Sequence, residues 1–334
     1  MTGEPERENR LPFRGWAPLV GGVLAGMALR LIYSGKAGDA YAPMMQSFIY
    51  ASPVLVAVVT VYLAETKARR TWSYYFLMPA LANILFVVGT LLILIEGWIC
   101  AILILPMFGL IGGLSGLAMG AICRVTRWPR RSIVGCVALL PLITGGFEQR
   151  LPLPYRERVA MREIVVAAAA PAVWRELIDA RQIEPGEIGD AWLYRIGVPM
   201  PIAGIADTQD GEHLRHITMG KGIHFDQVAT EWRENESVRW RYRFADDSFP
   251  AGALDDHVRI GGHYFDLGET QYSLSNRGGE TRLRIRMKYR VSTRFNWYAG
   301  PIADLLVGNF ADVVLRFYAR RAEQPANAQA GAPS

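Results

Sequence analysis

Residues 282–321 read "RLRIRMKYRVSTRFNWYAGPIADLLVGNFADVVLRFYARR", and the period of this stretch changes halfway along. In the first ten residues Leu283, Ile285, Met287, Tyr289 and Val291 alternate with Arg282, Arg284, Arg286, Lys288 and Arg290. Successive side chains of a strand point to opposite faces, so period two predicts a strand with one apolar and one strongly basic face. Further on, Ile302, Leu306, Phe310, Val313 and Phe317 recur at helical spacing, which predicts a helix over about residues 297–321. Asn309 falls inside that stripe, where an amide needs a partner, either protein or ligand. A sheet with one apolar face must cover it, and here one long amphipathic helix is available to do so.

The pattern extends upstream. In "SVRWRYRF" (237–244), Val238, Trp240, Tyr242 and Phe244 alternate with Arg239, Arg241 and Arg243. Less regular strands are expected near 201–208, 213–219, 223–233 and 264–275. In the last of these the apolar parity changes between Leu267 and Tyr272, which predicts a bulge near Gly268. "RVAMREIVVAA" reads as an opening strand that leads into "APAVWRELIDA". There Pro171 suits a first helical turn, and Val173, Trp174, Leu177 and Ile178 share one face. The proline-containing "QRLPLPYRER" marks a linker at 148–157, followed by an α+β domain at 158–321 and a polar tail at 322–334 expected to be disordered. A curved antiparallel sheet gripping a long C-terminal helix leaves room for a cavity between them. Trp240, Tyr242, Phe244, Tyr272, Met287, Tyr289, Asn309 and Phe310 are its expected lining.

The first half is of a different kind. The chain has 334 residues, 51% of them hydrophobic, and its mean hydropathy is +0.13. The apolar residues concentrate in long runs before about residue 147. Runs at 16–33, 47–64, 74–95 and 99–123 reach or approach spanning length, and a shorter fifth at 132–147 contains Pro141. The fold expected is therefore an α-helical transmembrane bundle over 16–147, with five spans, ahead of the soluble domain. The first run does not end in a small-residue cleavage site, so it reads as a span and not as a removable signal. Arg7, Arg10 and Arg14 precede the first run, Lys67, Arg69 and Arg70 fill the second loop, and Arg124, Arg127, Arg130 and Arg131 fill the fourth. Positive loops face the cytoplasm, which puts residues 1–15 inside. Five spans then put the C-terminal domain outside, in the periplasm of a bacterial inner membrane, whereas four would keep it inside. Trp72, Tyr74, Tyr75, Trp98 and Trp128 sit near the expected interfaces. Gly22/Gly26 and the row Gly109, Gly112, Gly113, Gly116, Gly120 allow close helix packing, within the chain or in a homo-oligomer. Arg30 is expected to snorkel to the interface and Glu96 to sit at a turn.

Motifs of catalysis are sparse. The cysteines Cys100, Cys123 and Cys136 all lie in or beside apolar runs, and neither a CxxC pair nor HExxH is present. There is no GxSxG elbow, and "GKG" at 220–222 is too short for a phosphate loop. His213 and His216, three apart on a strand, face opposite ways. "DDHVRIGGHYFD" (255–266) reads as a hairpin turning at Gly261–Gly262. That pairing sets His257 beside Asp266 as a weak acid/base candidate and sends His257 and His263 to opposite faces. No metal and no cofactor is expected. The basic sheet face is read as solvated, as resting on anionic lipid headgroups, or as binding nucleic acid, and an outer location argues against the last.

Two segments also carry a resemblance. "IVVAAAAPAVWRELID" looks like the opening of the START-like, or SRPBCC, superfamily of polyketide cyclase/dehydrase and lipid-transport proteins. The stretch at 282–321 resembles the last strand and helix of membrane-attached members, and "LIEGWICAILILPMFGLIGGLSG" resembles their membrane part. The resemblance implies a helix-grip fold with a hydrophobic ligand cavity. It does not select among carriers, receptors, cyclases and oxygenase subunits. Iron-binding members carry His and carboxylate ligands on an added helix, and no matching segment is seen. The reading adopted is a membrane protein whose domain binds an apolar small molecule or lipid without catalysis. A cyclase or dehydratase acting on a hydrophobic substrate, and a tethered interaction module, are the alternatives.

Overall fold

The structure, a computed structural model, describes residues 15–126, 131–255 and 257–324. Arg7, Arg10, Arg14, Arg127, Trp128, Arg130, Asp256 and the tail from 325 lie outside the described residues, and with them the expectations for a cytoplasmic N-terminus and a disordered tail. The chain divides into two compact units, Met1–Pro152 and Leu153–Ser334.

Among the described residues, the first unit holds five helices: α1 (Ala17–Ile32), α2 (Gln46–Glu65), α3 (Trp72–Leu92), α4 (Trp98–Thr126) and α5 (Arg131–Glu148). Each apolar run forms a helix, but the expectation of five spans is corrected to three. Only α2, α3 and α4, with 20, 21 and 29 residues, are long and apolar enough among the described residues to cross a membrane. At about 1.5 Å per residue, the 16 residues of α1 fall short of a core about 30 Å thick. The described apolar part of α5, Val134–Glu148, is shorter still. Large side chains such as Leu24, Leu77, Leu110, Leu114 and Ile143 face outward from these helices.

A polar side chain buried in an apolar surrounding needs hydrogen-bond partners, and the Asn83 amide donates to two backbone carbonyls. Asn83 Nδ2 donates to the carbonyls of Pro79 at 2.9 Å and Pro53 at 3.2 Å. Glycines set the helix spacing: a Cβ on Gly116 would lie 2.1 Å from the Tyr75 carbonyl oxygen, and one on Gly22 2.0 Å from Thr60 Oγ1. Their rows thus pack α4 on α3 and α1 on α2. Arg30 does not snorkel. Its Nε lies 2.8 Å from Glu96 Oε1, and the two side chains are only 6% and 7% exposed. Burying an Arg is tolerable when a carboxylate neutralises it, and the turn after α3 supplies one.

The second unit is a seven-stranded antiparallel sheet in the order β1-β7-β6-β5-β4-β3-β2. Its strands are β1 (Glu157–Val166), β2 (Pro201–Gln209), β3 (Glu212–Met219), β4 (His224–Arg233), β5 (Ser237–Arg243), β6 (Phe265–Arg277) and β7 (Glu280–Val291). Between β1 and β2 run α6 (Ala170–Ile178), α7 (Pro185–Ile188) and α8 (Trp192–Arg195), and α9 (Asn296–Glu323) follows β7. The order fits a START-like helix-grip fold: α9 packs on β1 and β7, and α6, α7 and α8 pack on α9. The bulge in β6 falls between Leu267 and Glu269, as the parity change requires.

The hairpin expected at 255–266 does not form. Phe265 and Asp266 pair with Val291 and Arg290 of β7, and residues 257–260 form no strand against them. Residues 257–264 are turns instead, with Gly261 at φ 71° and the Gly262 N–H donating to the Arg259 carbonyl at 3.0 Å. The basic outer face is also less bare than its sequence implies. Glu163 takes Arg284 at 2.8 Å, Glu269 takes Lys288 at 2.8 Å and Glu231 takes Arg239 at 2.9 Å.

Candidate ligand-binding site

The inner face of the sheet is built by alternation. Val238, Trp240, Leu283, Ile285, Met287, Tyr289 and Val291 are all buried there, together with Val307, Ala311, Val314 and Tyr318 of α9. A second apolar cluster of Met219, Ile223, Phe225 and Ala253 lies at the other end, packed by Ile217, Phe244, Phe249 and Leu254. Tyr242 touches both clusters. Aromatic rings run along and between these clusters. Phe225 and Tyr242 lie 5.9 Å apart, Tyr242 and Phe244 stack at 6.4 Å, and Tyr194 of α8 meets Phe310 of α9 edge-on at 6.1 Å. Tyr194, Tyr242, Phe244 and Phe310 each keep part of their surface accessible.

A polar row crosses this apolar face. Arg215 of β3 stands opposite Gln227 of β4, and Gln227 stands opposite Tyr242 of β5. The Tyr242 hydroxyl lies 2.6 Å from the Thr270 hydroxyl of β6. Arg215 is 4% exposed. Its Nη2 donates to the Tyr318 hydroxyl at 2.9 Å, and the guanidinium carbon lies 5.9 Å from the centre of that ring. Gly204 of β2 makes the room, since a Cβ there would sit 2.6 Å from Arg215 Nε. Three buried polar atoms on this face have no partner among the described residues: Arg215 Nε, Gln227 Oε1 and Trp240 Nε1. Burial pushes the phenols of Tyr194, Tyr242 and Tyr272 well above their ordinary value, so they stay neutral hydroxyls.

The expected lining residues divide. Trp240, Tyr242, Phe244, Tyr272 and Phe310 belong to the region just described, and Met287 is part of the core beside it. Tyr289 is engaged elsewhere: its hydroxyl donates to Asp304, a carboxylate that also pairs with Arg158 of β1. Asn309 Oδ1 accepts the Trp192 N–H at 2.8 Å, so its partner is the start of α8. His257 and Asp266 are not brought together. His257 Nδ1 lies 2.7 Å from Asp255 Oδ1, while Asp266 accepts the Gly261 N–H at 2.9 Å. Arg215, Gln227, Tyr194 and Tyr318 escaped the sequence reading. The signal for Arg215 was there: in β3 it shares parity with Ile217 and Met219, a cation at a position meant for an apolar side chain.

No family model matches this chain, and no curated protein matches it. The solved structures it is similar to include START superfamily and aromatase/cyclase proteins. A START superfamily protein from Mycobacterium smegmatis is 16% identical, over 50% of this chain and 97% of that one, with a TM-score of 0.33. The Zhui aromatase/cyclase from Streptomyces sp. R1128 is 14% identical, over 53% of this chain and 100% of that one, with a TM-score of 0.32. The protein TTHA0849 from Thermus thermophilus is 13% identical, over 52% and 100%, with a TM-score of 0.32. These likenesses extend over about half of the chain, and the reading of the inner face rests on its own side chains.

Proposed function

We propose that the C-terminal unit binds an apolar small molecule or lipid between the inner face of its sheet and α9, beside a membrane that the apolar helices anchor it to. The observation that carries this is the partly accessible aromatic surface around Tyr242. A core meant to be solid would bury Tyr194, Tyr242, Phe244 and Phe310 fully, whereas each keeps accessible area between two separate hydrophobic clusters. Burial of an apolar ligand on these rings supplies affinity, and the polar row orients it.

A catalytic reading has weaker support. It needs an acid/base pair aimed into the face, and His257 and Asp266 are engaged with other partners. Asp304 and Asp312 of α9 are held by Arg158 and Arg162.

The test is native mass spectrometry of the full-length protein, purified without added lipid, followed by solvent extraction. A co-purifying apolar species in substoichiometric or greater amount is expected, and its yield should fall severalfold in Tyr242→Ala, which opens the shared wall. A wild-type protein that carries nothing and takes up no added lipid would overturn the proposal.

A further inference from the structure

The buried polar row says what kind of apolar molecule the face would take. A guanidinium does not lose its proton in a protein, so Arg215 carries a full charge inside an apolar face. Buried charges are normally paired, because leaving one alone costs the whole of its lost hydration. Here no carboxylate pairs with Arg215 among the described residues, and the groups gathered around it are the phenols of Tyr318, Tyr272 and Tyr242. Of the five N–H donors that a guanidinium has, the Tyr318 hydroxyl takes one among the described residues, and Nε faces no acceptor there. Of twelve buried side-chain atoms without a partner among the described residues, three share this face, and of those three only Arg215 carries a full charge. The contrast with Arg30, whose burial is matched by Glu96, and with Arg158 and Arg162, which Asp304 and Asp312 neutralise, makes Arg215 the exception that needs explaining.

We infer that the ligand supplies the missing anion: an apolar molecule that carries one carboxylate, which accepts hydrogen bonds from Arg215 while its hydrocarbon lies along the aromatic wall of Tyr242, Phe244 and Phe310. This rests on the binding proposal above and narrows it to a ligand class. A carboxylate matches the fork of a guanidinium and cancels one positive charge with one negative. A phosphate monoester, with close to two negative charges, would leave a net charge buried. Neutral hydroxyls at Tyr242 and Tyr272 can donate to the second oxygen, which favours an anion over a neutral acceptor.

The experiment presents the full-length protein with an equimolar mixture of saturated C10–C18 fatty acids and their methyl esters, and reads what is retained by native mass spectrometry. Wild type is expected to retain acid over ester by at least about tenfold, the scale of a charge-assisted hydrogen bond. Arg215→Met is expected to keep the ester and lose the preference, with an unfolding midpoint no lower than wild type, since an unneutralised charge has been removed. Tyr318→Phe keeps the charge and the packing but frees the guanidinium from its hydroxyl, so part of the preference should remain; this variant reports on the site if Arg215→Met fails to fold. Equal retention of acid and ester by wild type, or an acid preference that survives Arg215→Met, overturns the carboxylate and leaves the apolar site standing. Retention of neither overturns both.

Discussion

At the scale of single residues, the outer face of the sheet offers a pH-sensitive contact. His216 Nδ1 lies 2.6 Å from Asp226 Oδ1, and its Nε2 lies 3.4 Å from Asp207 Oδ2. The hydrogen bond to Asp226 leads in holding the imidazole above its ordinary value of 6.5. Asp207 is held below its ordinary 3.8, first by Gln209, then by the Thr208 backbone and His216. A group raised on folding stabilises fully below its unfolded value and loses that stabilisation as pH climbs through the folded one. A carboxylate lowered on folding contributes above its unfolded value and loses its contribution as pH falls. The contact is therefore strongest between about pH 4 and the raised pKa of His216. The unfolding midpoint should decline as pH rises from below 6.5 through the raised pKa of His216, and His216→Gln should flatten that decline; the same slope in both proteins would rule this contact out as the cause. The effect is small, because the imidazole is 41% exposed and water screens it. Neither this cluster nor the Arg30–Glu96 pair could be read beforehand, since their members lie apart in the chain and meet only once the elements are stacked.

Elements were the most legible scale. β5 and β7 follow their alternation, α9 begins within a residue of its expected start, and the β6 bulge falls where parity changed. What failed was the assignment of partners. Gly261–Gly262 is a turn, as its residues demand, but of the strands expected on either side of it only Phe265–Asp266 forms, and it pairs with β7. The glycine rows show how an element's sequence sets its neighbour's distance. Gly116 meets the Tyr75 carbonyl and the Pro79 ring, backbone and a stiff side chain that cannot swing aside. Gly116→Ala should push α3 and α4 apart and cost about 1–3 kcal/mol, as overpacked sites do. A thermal unfolding series in detergent checks it, with Gly135→Ala as the control because nothing among the described residues lies within 4 Å of a Cβ there. Equal midpoints for the two variants would refute the packing role.

On the scale of the whole molecule, the open matter is which side of a membrane the C-terminal unit occupies. Lys67, Arg69 and Arg70 mark the α2–α3 end of the helical unit, and Arg124 Nη2 donates to the Arg70 carbonyl at 2.8 Å, so α4 finishes at that same end. Glu148, at the close of α5, accepts the N–H groups of Gln46 and Ser47 at 2.7 and 2.9 Å, where α2 begins. The end of α5 is thus level with the opposite end of α2, away from the positive loop. With that loop cytoplasmic, the three spans alone return the chain to the inner side after α4; it is α5, packed along α2 although short of spanning length, that carries it back to the other side, where we expect the C-terminal unit. An alkaline phosphatase fused after Ser334 should be active and a green fluorescent protein dark; the reverse would put the unit in the cytoplasm. The sequence by itself determined the two halves, the apolar helices, the period of each strand and the long helix after the last strand, because burial leaves a local periodic mark. It could not determine how many helices reach spanning length, which glutamate meets Arg30, or that Arg215 ends beneath Tyr318 with no carboxylate among the described residues to answer it. Those depend on register between strands and on packing between distant helices, and a charge at an apolar position becomes an oddity only when its surroundings are known.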